Sequence, residues 1–266
     1  MHPRTLHVTV IQDAPRSRDL AENLRRVTAA LAAHPDTDLL LFPELFLSGY
    51  QTTALAELAL TRNDPRVSAR AAACRNANTA LIVGCIEAAP EGVYDAMLAI
   101  DRDGSVREMV RKTHLFGTER DAFAVGDTLA PVTLCDVSVG IVNCFELEFP
   151  EVSRTLALRG AQLIAAGSAN MHPYALDHRI AATARALENR VPVAYANRIG
   201  TESGHAFCGG SRIVLPDGDT LAELDADEAG SIAGQLAIDM RGTSATPAST
   251  APTDMLAQRR PELYAH

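Results

Sequence analysis

The run Asp38-Leu39-Leu40-Leu41-Phe42 limits the folding choices of this chain more than any other stretch. A strand with one wet face alternates apolar and polar residues, whereas an unbroken apolar run belongs to a strand covered on both faces. Similar runs recur at Leu6 to Ile11, Thr79 to Glu87, Val93 to Ile100, Val137 to Val142, Gln162 to Ala166 and Pro192 to Asn197. Between them lie helical spacings: Leu20, Leu24, Val27, Ala30 and Leu31 within Asp19 to Ala33, then Pro150 to Arg159 and Tyr174 to Asn189. Residues 55–78 are alanine-rich and expected to be helical, with a break near Asn63-Asp64-Pro65. Tight turns at Asp101-Arg102-Asp103-Gly104 and Pro216-Asp217-Gly218-Asp219 join neighbouring strands antiparallel. Doubly covered strands that alternate with helices, but are interrupted by hairpins, predict an α/β layered fold with mixed sheets, two sheets between helix layers.

The 266 residues suffice for one large core. No linker is visible before residue 241, so one domain over 1–266 is expected. Residues 241–266 read as a C-terminal arm, with Gly242 to Pro252 linker-like and Met255 to Tyr264 docking on a neighbour. A net charge of −9 argues against nucleic-acid or anionic-membrane surfaces, which need clustered Lys and Arg. The five cysteines are odd in number and form no C-x-x-C pair, so reduced thiols in a cytoplasmic protein are expected. The N-terminus lacks the long apolar core of a signal peptide. No run reaches the roughly 20 apolar residues of a membrane helix.

Three reactive side chains stand where apolar strands stop. Glu44 follows Asp38 to Phe42, Lys112 follows Val106 to Arg111, and Cys144 follows Val137 to Val142. In open α/β sheets, ligands bind beyond the carboxyl ends of strands, so the three can meet in one crevice. Each has a plainer reading: Glu44 as a helix-opening acid, Lys112 as a solvated strand end, Cys144 as a buried core thiol. Together they form a usable set. The carboxylate is a base for the thiol, and the ammonium is a donor for a developing oxyanion. A strand-to-helix elbow at Cys144 would also place the thiol near a helix N-terminus, where the macrodipole favours a thiolate.

The blocks around these residues carry a resemblance. Phe42-Pro43-Glu44-Leu45-Phe46-Leu47-Ser48-Gly49-Tyr50, Arg111-Lys112-Thr113-His114-Leu115-Phe116 and Asn143-Cys144-Phe145-Glu146-Leu147-Glu148-Phe149-Pro150-Glu151 resemble the three signature blocks of the nitrilase superfamily, the carbon–nitrogen hydrolases. Glu119-Arg120-Asp121-Ala122-Phe123, Arg185-Ala186-Leu187-Glu188-Asn189 and the Arg260-Pro261-Glu262-Leu263-Tyr264 tail fit as well. The resemblance implies a four-layer α-β-β-α sandwich with two mixed β-sheets. It also implies a Glu-Lys-Cys catalytic set: Glu44 the general base, Lys112 the oxyanion donor, Cys144 the nucleophile, with Glu119 as a second, positioning glutamate. No metal or organic cofactor is implied, and a homodimer or larger homo-oligomer is. The implied substrate is a small-molecule amide, hydrolysed to carboxylic acid and ammonia through a cysteine thioester.

Departures from the family pattern mark the open points. Amidase members usually carry Cys-Tyr-Asp at the nucleophile and nitrilases Cys-Trp-Glu, whereas this chain has Cys144-Phe145-Glu146. Chain length, the Arg111 to Phe116 block and Glu119 favour an amide. The alternatives are an N-carbamoyl or ω-amide hydrolase, then a nitrilase, then a catalytically silent binding member. Arg198 and Arg179 are candidates to meet a substrate carboxylate. Asn143 stands where an apolar residue is common, either as a hydrogen-bonding support or as a satisfied polar residue. Phe145, Tyr50 and Asn170 are candidate substrate contacts; the plainer readings are core packing for Tyr50 and a turn or N-cap for Asn170.

Overall fold

The computed structural model describes residues 4–238 and 255–264. In chain order the first half holds β1 (Arg4–Gln12), α1 (Leu20–Ala33), β2 (Leu39–Leu41), α2 (Pro65–Ala77), β3 (Ala80–Ala89), β4 (Gly92–Ile100), β5 (Val106–Arg111) and α3 (Glu119–Ala122). The second half holds β6 (Val132–Leu134), β7 (Val137–Asn143), α4 (Pro150–Leu158), β8 (Leu163–Ser168), α5 (Ala175–Asn189), β9 (Val193–Asn197), β10 (Ile199–Glu202), β11 (His205–Cys208), β12 (Arg212–Val214), β13 (Thr220–Glu223) and β14 (Gly230–Ile238).

Two mixed six-stranded sheets result, in the orders β14-β1-β2-β3-β4-β5 and β13-β12-β9-β8-β7-β6. The period of two along β2 shows how the layers form. Leu39 and Leu41 turn inward and meet Val137, Val139, Ile141 and Ala165 of the other sheet. Leu40, between them, turns outward to Leu24, Val27 and Leu31 of α1 and to Val67 and Cys74 of α2. On the far side Ile164, Ala166 and Tyr195 meet Val152 and Leu156 of α4 and Ala182 and Ala186 of α5. This is the expected α-β-β-α order, and it explains why Asp38 to Phe42 carries no polar alternation. The inter-sheet layer is rich in small side chains, among them Ala80, Ala99, Ala165, Ala194 and Ala196. At Gly167 the layers nearly touch: a Cβ there would lie 2.3 Å from Met97 Cε and 3.0 Å from the Phe42 carbonyl.

Helix ends follow local chemistry. Asp19 caps α1 by accepting from the Glu22 amide, and Asp64 caps α2 with Pro65 in its first turn. Of the helix expected from residue 55, only a 3-10 turn at Leu55–Glu57 forms before Pro65. There Leu60 is pinned against the sheet instead: its amide donates to the Ile86 carbonyl at 2.8 Å, and its carbonyl accepts from Ala88 at 2.9 Å. The β10–β11 hairpin, at Ile199 to Cys208, lies in a stretch for which no element was expected. The whole of the expected linker Gly242 to Pro252, and the rest of 239–254, lies outside the described residues. Pro261–Leu263 forms a single 3-10 turn. No helix among the described residues is long and apolar enough to cross a membrane.

Candidate active site

The three strand ends converge. Glu44, in the loop after β2, and Lys112, directly after β5, are fully buried, and the Lys112 Nζ donates to Glu44 Oε1 at 2.5 Å. Glu119, in the first turn of α3, meets the same ammonium at 2.8 Å. Cys144 follows β7 in the left-handed region at φ 49°, and Leu45, beside Glu44, has φ 47°. Non-glycine residues adopt such angles only when their surroundings enforce them. For Leu45 the enforcing element is Gly84 of β3. Its amide donates to the Pro43 carbonyl at 3.1 Å, and a Cβ on it would lie 2.1 Å from the Leu45 nitrogen.

Every oxygen of the two glutamates has a donor. Glu44 Oε2 accepts from the Ala169 amide at 2.9 Å, so the carboxylate spans from one sheet to the segment leaving β8. Glu119 Oε1 accepts from Tyr50 Oη at 2.7 Å, and its Oε2 accepts from the Phe116 amide at 2.8 Å. The Cys144 thiol feels the Glu44 charge directly, and Ser168 Oγ donates to its sulfur at 3.3 Å. Ser168 also meets His178 Nδ1 at 3.4 Å, and His178 Nε2 lies 3.3 Å from Glu148. Neither Ser168 nor His178 was singled out as part of this network from sequence. Ser168 ends a strand just as Glu44 and Cys144 do, which is the signal that marks it.

The electrostatics follow from burial and neighbours. Burial pushes the Glu44 carboxyl up, but Lys112 and the hydrogen bonds it accepts outweigh that and hold it below its ordinary value. Burial pushes Lys112 down, yet Glu44, Glu119 and Asp95 hold it well above the usual lysine range. The Cys144 thiol is pushed well up, first by burial and then by the Glu44 charge. This corrects the expectation of a dipole-stabilised thiolate. The helix after Cys144 is one short 3-10 turn, Cys144–Glu148, and close carboxylates outweigh its weak dipole. The resting pair is a thiol beside a carboxylate. Oxygens of Glu44, Asp95 and Glu119 lie within 4.8 Å of one another, a spacing that suits a metal ion. The cation among them is the Lys112 ammonium.

The remaining candidates divide. Phe145 lines a pocket of about 290 Å³ empty volume above the sulfur, its ring 5.3 Å from that of Phe116. Tyr50 lines it too, but its hydroxyl is committed to Glu119. Asn170 lines it with its amide turned to its own loop: Nδ2 donates to the Tyr174 carbonyl at 3.0 Å, and Oδ1 accepts from the Met171 amide at 2.9 Å. Arg198 and Arg179 do not reach the pocket. Arg198 is buried against Glu202 at 2.6 Å and stacks on Phe207, and Arg179 lies 3.6 Å from Glu223. Glu146 points away from the pocket. It accepts from the Thr113 amide and hydroxyl, both at 2.6 Å, and from the Asn143 amide at 2.8 Å. It thereby ties the residue after Lys112 to the residue before Cys144.

The profile of the carbon–nitrogen hydrolase family matches residues 7–246, and the chain belongs to that family. It is 39% identical over 266 residues to a Pseudomonas protegens protein described as the hydrolase in the pqqF 5′ region, covering 98% of this chain and 91% of that one. It is 37% identical over 226 residues to an (R)-stereoselective amidase of a Pseudomonas species, covering 84% and 82% of the two chains. The fold superposes on an amidase from Nesterenkonia sp. AN1, a variant of which was solved in complex with butyramide. The TM-score is 0.81 at 30% identity, covering 97% of this chain and 95% of that one. Among these neighbours the chain takes its place in the amidase-like branch of the nitrilase superfamily, as an enzyme of carbon–nitrogen bond hydrolysis.

Proposed function

We propose that this enzyme is an amidase that hydrolyses a small, uncharged aliphatic carboxamide to the carboxylic acid and ammonia through a thioester on Cys144. One observation carries the reading: the Cys144 thiol lines a narrow pocket, and the buried Glu44 carboxylate and Lys112 ammonium, 2.5 Å apart, stand behind it. The Cys144 sulfur attacks the amide carbon as its proton passes to Glu44. The carbonyl oxygen becomes an oxyanion, stabilised by Lys112 Nζ and the backbone N–H of Phe145. Glu44 returns the proton to the nitrogen, the C–N bond breaks and ammonia leaves. A water then gives its proton to Glu44 and attacks the thioester carbon, and the acid departs as the thiol is restored. Glu119, braced by Tyr50, holds Lys112 in line throughout.

The pocket lining supports the choice of substrate. The pocket is narrow, with about 290 Å³ of empty space including its open mouth. Phe116, Phe145 and Tyr174 contribute apolar surface, and the described lining includes no arginine or lysine. Glu148 and Glu119 line it, so a substrate carboxylate meets acidic side chains and no arginine or lysine of the lining. The butyramide complex of the Nesterenkonia amidase is in keeping with a small neutral amide. The ω-amides of dicarboxylic acids and N-carbamoyl amino acids fit this lining less well.

The test is ammonia release from a panel of neutral aliphatic amides, ω-amides, N-carbamoyl amino acids and nitriles, with Cys144→Ala as the blank. Neutral amides are expected to turn over fastest and Cys144→Ala to release nothing above background. Silence across the whole panel, or equal rates for both proteins, would end the proposal.

A further inference from the structure

We propose that Asp95 is a positioning residue that acts as a neutral acid: anchored by Asn143, it donates a hydrogen bond to Glu44 and holds the base in its ionised, aligned form. The inference rests on the reading of Glu44 as the base. Asp95 lies within β4, and its side chain is sealed from solvent. Its backbone is fixed beside the site, because its carbonyl accepts from the Lys112 amide at 2.9 Å. Its two oxygens are not equivalent. Oδ1 accepts from Asn143 Nδ2 at 2.9 Å. Oδ2 lies 3.6 Å from Lys112 Nζ, beyond hydrogen-bonding distance, and has no donor.

A buried carboxylate oxygen without a donor is costly, whereas a hydroxyl in its place needs an acceptor. The Glu44 carboxylate is the acceptor at hand: oxygens of Glu44, Asp95 and Glu119 cluster within 4.8 Å of one another, and the Glu44 and Asp95 carboxyls act on each other. Charge counting agrees. One ammonium faces three carboxyl groups in a closed site, and like charges so close do not all ionise. Glu44 and Glu119 have the short contacts to Lys112, which leaves Asp95 to hold the proton. The other ionisable groups acting on this cluster are the Cys144 thiol on the β7 side, Cys85 on β3, the Tyr50 hydroxyl on Glu119, Arg198 toward Glu44 and Glu146 toward Lys112. Burial first, then the Glu44 charge, push the Asp95 carboxyl well above its usual value, and a hydrogen bond from Asp95 lowers that of Glu44. Asn143, polar where an apolar residue was expected, is thereby accounted for as the anchor of this acid.

The test compares Asp95→Asn with Asp95→Leu. An amide N–H toward Glu44 replaces the acid's O–H, so Asp95→Asn is expected to keep kcat within a few-fold of the wild type. Asp95→Leu removes the donor and is expected to lower kcat about 100-fold with little change in KM, as a small misplacement of a reacting group does. It is also expected to move the acid limb of kcat/KM to higher pH. The second readout needs no substrate. An acid whose folded pKa is raised gains a proton on folding, so its contribution to stability is favourable below the unfolded value of ~3.9 and is lost as pH rises. Asn carries no such term. The Tm of Asp95→Asn is expected to exceed that of the wild type at pH 8, with the gap closing towards pH 4. A Tm for Asp95→Asn that is lower at pH 8, with the gap widening as pH rises, would overturn the proposal even if no substrate were found. So would an Asp95→Asn that folds but is as slow as Asp95→Leu. Should Asp95→Leu not fold, Asp95→Asn decides alone through both readouts.

Discussion

At the scale of single residues, two of the three departures from the family pattern, Asn143 and Glu146, turn out to be structural, whereas Phe145 lines the pocket. Glu146, the second departure after Cys144, accepts three hydrogen bonds and sends none of its oxygens into the pocket. Burial raises its pKa, and the Thr113 and Asn143 donors work against that rise. Glu146→Gln exchanges one accepting oxygen for an NH2 that must face an N–H or O–H donor. The expected loss is about 1–3 kcal/mol of stability, read by urea unfolding. A fall in kcat larger than the rise in KM should accompany it, because the latch sets the thiol relative to the ammonium. The meeting of Glu44, Lys112 and Cys144 was legible in the sequence because each stands at or just beyond a strand end, Glu44 and Cys144 after apolar runs. Asp95 was not, because it sits inside a strand whose neighbours are apolar and only the folded arrangement shows what it faces. The commitment of Tyr50 to Glu119, and of Asn170 to its own loop, was equally out of reach. Sequence spacing does not say where a hydroxyl or an amide finds its partner.

At the scale of elements, continuous apolar runs were read correctly as doubly covered strands, and hairpin turns at Asp101 to Gly104 and Pro216 to Asp219 were read from local chemistry. Two local expectations failed for tertiary reasons. Residues 55–64 have helical composition, yet backbone pairing of Leu60 with Ile86 and Ala88 overrides it. The β10–β11 hairpin has little apolar alternation. A buried Arg198–Glu202 pair supports it, and Glu202 also accepts from the Tyr50 amide at 2.9 Å. The element that most directly aims Glu44 is β3, through Gly84. Gly84→Ala drives a methyl into the Pro43–Leu45 backbone, which cannot yield without moving Glu44. The variant is expected to fold, with an unchanged far-UV circular dichroism spectrum, and to lose about 100-fold in kcat. Wild-type turnover in Gly84→Ala would show that Glu44 tolerates the displacement.

At the scale of the whole molecule, exposed apolar side chains among the described residues gather on the outer face of the second sheet's helices. Leu158 of α4 and Leu176 and Ile180 of α5 are 50%, 62% and 58% exposed, with Leu187 on the same helix. Leu176, Ile180 and Leu187 share one face by helical spacing. An apolar face on these helices is what a homo-oligomer needs, and we propose that a second copy covers it. Leu176→Glu with Ile180→Glu should shift the sedimentation coefficient from dimer or larger to monomer. A wild-type chain that sediments as a monomer at micromolar concentration would refute this.

The narrow gap between the sheets at Gly167 has a consequence for the chemistry. The thiol hangs from one sheet, while the carboxylate and the ammonium hang from the other. Ala169 reaches across to Glu44, and small side chains keep the layers close beneath it. The reacting groups therefore act as a caliper on the thickness of the protein's own interior. On the proposed mechanism, turnover depends on that spacing. A chain that keeps every residue of the site but swells slightly between its layers would remain folded and fall silent.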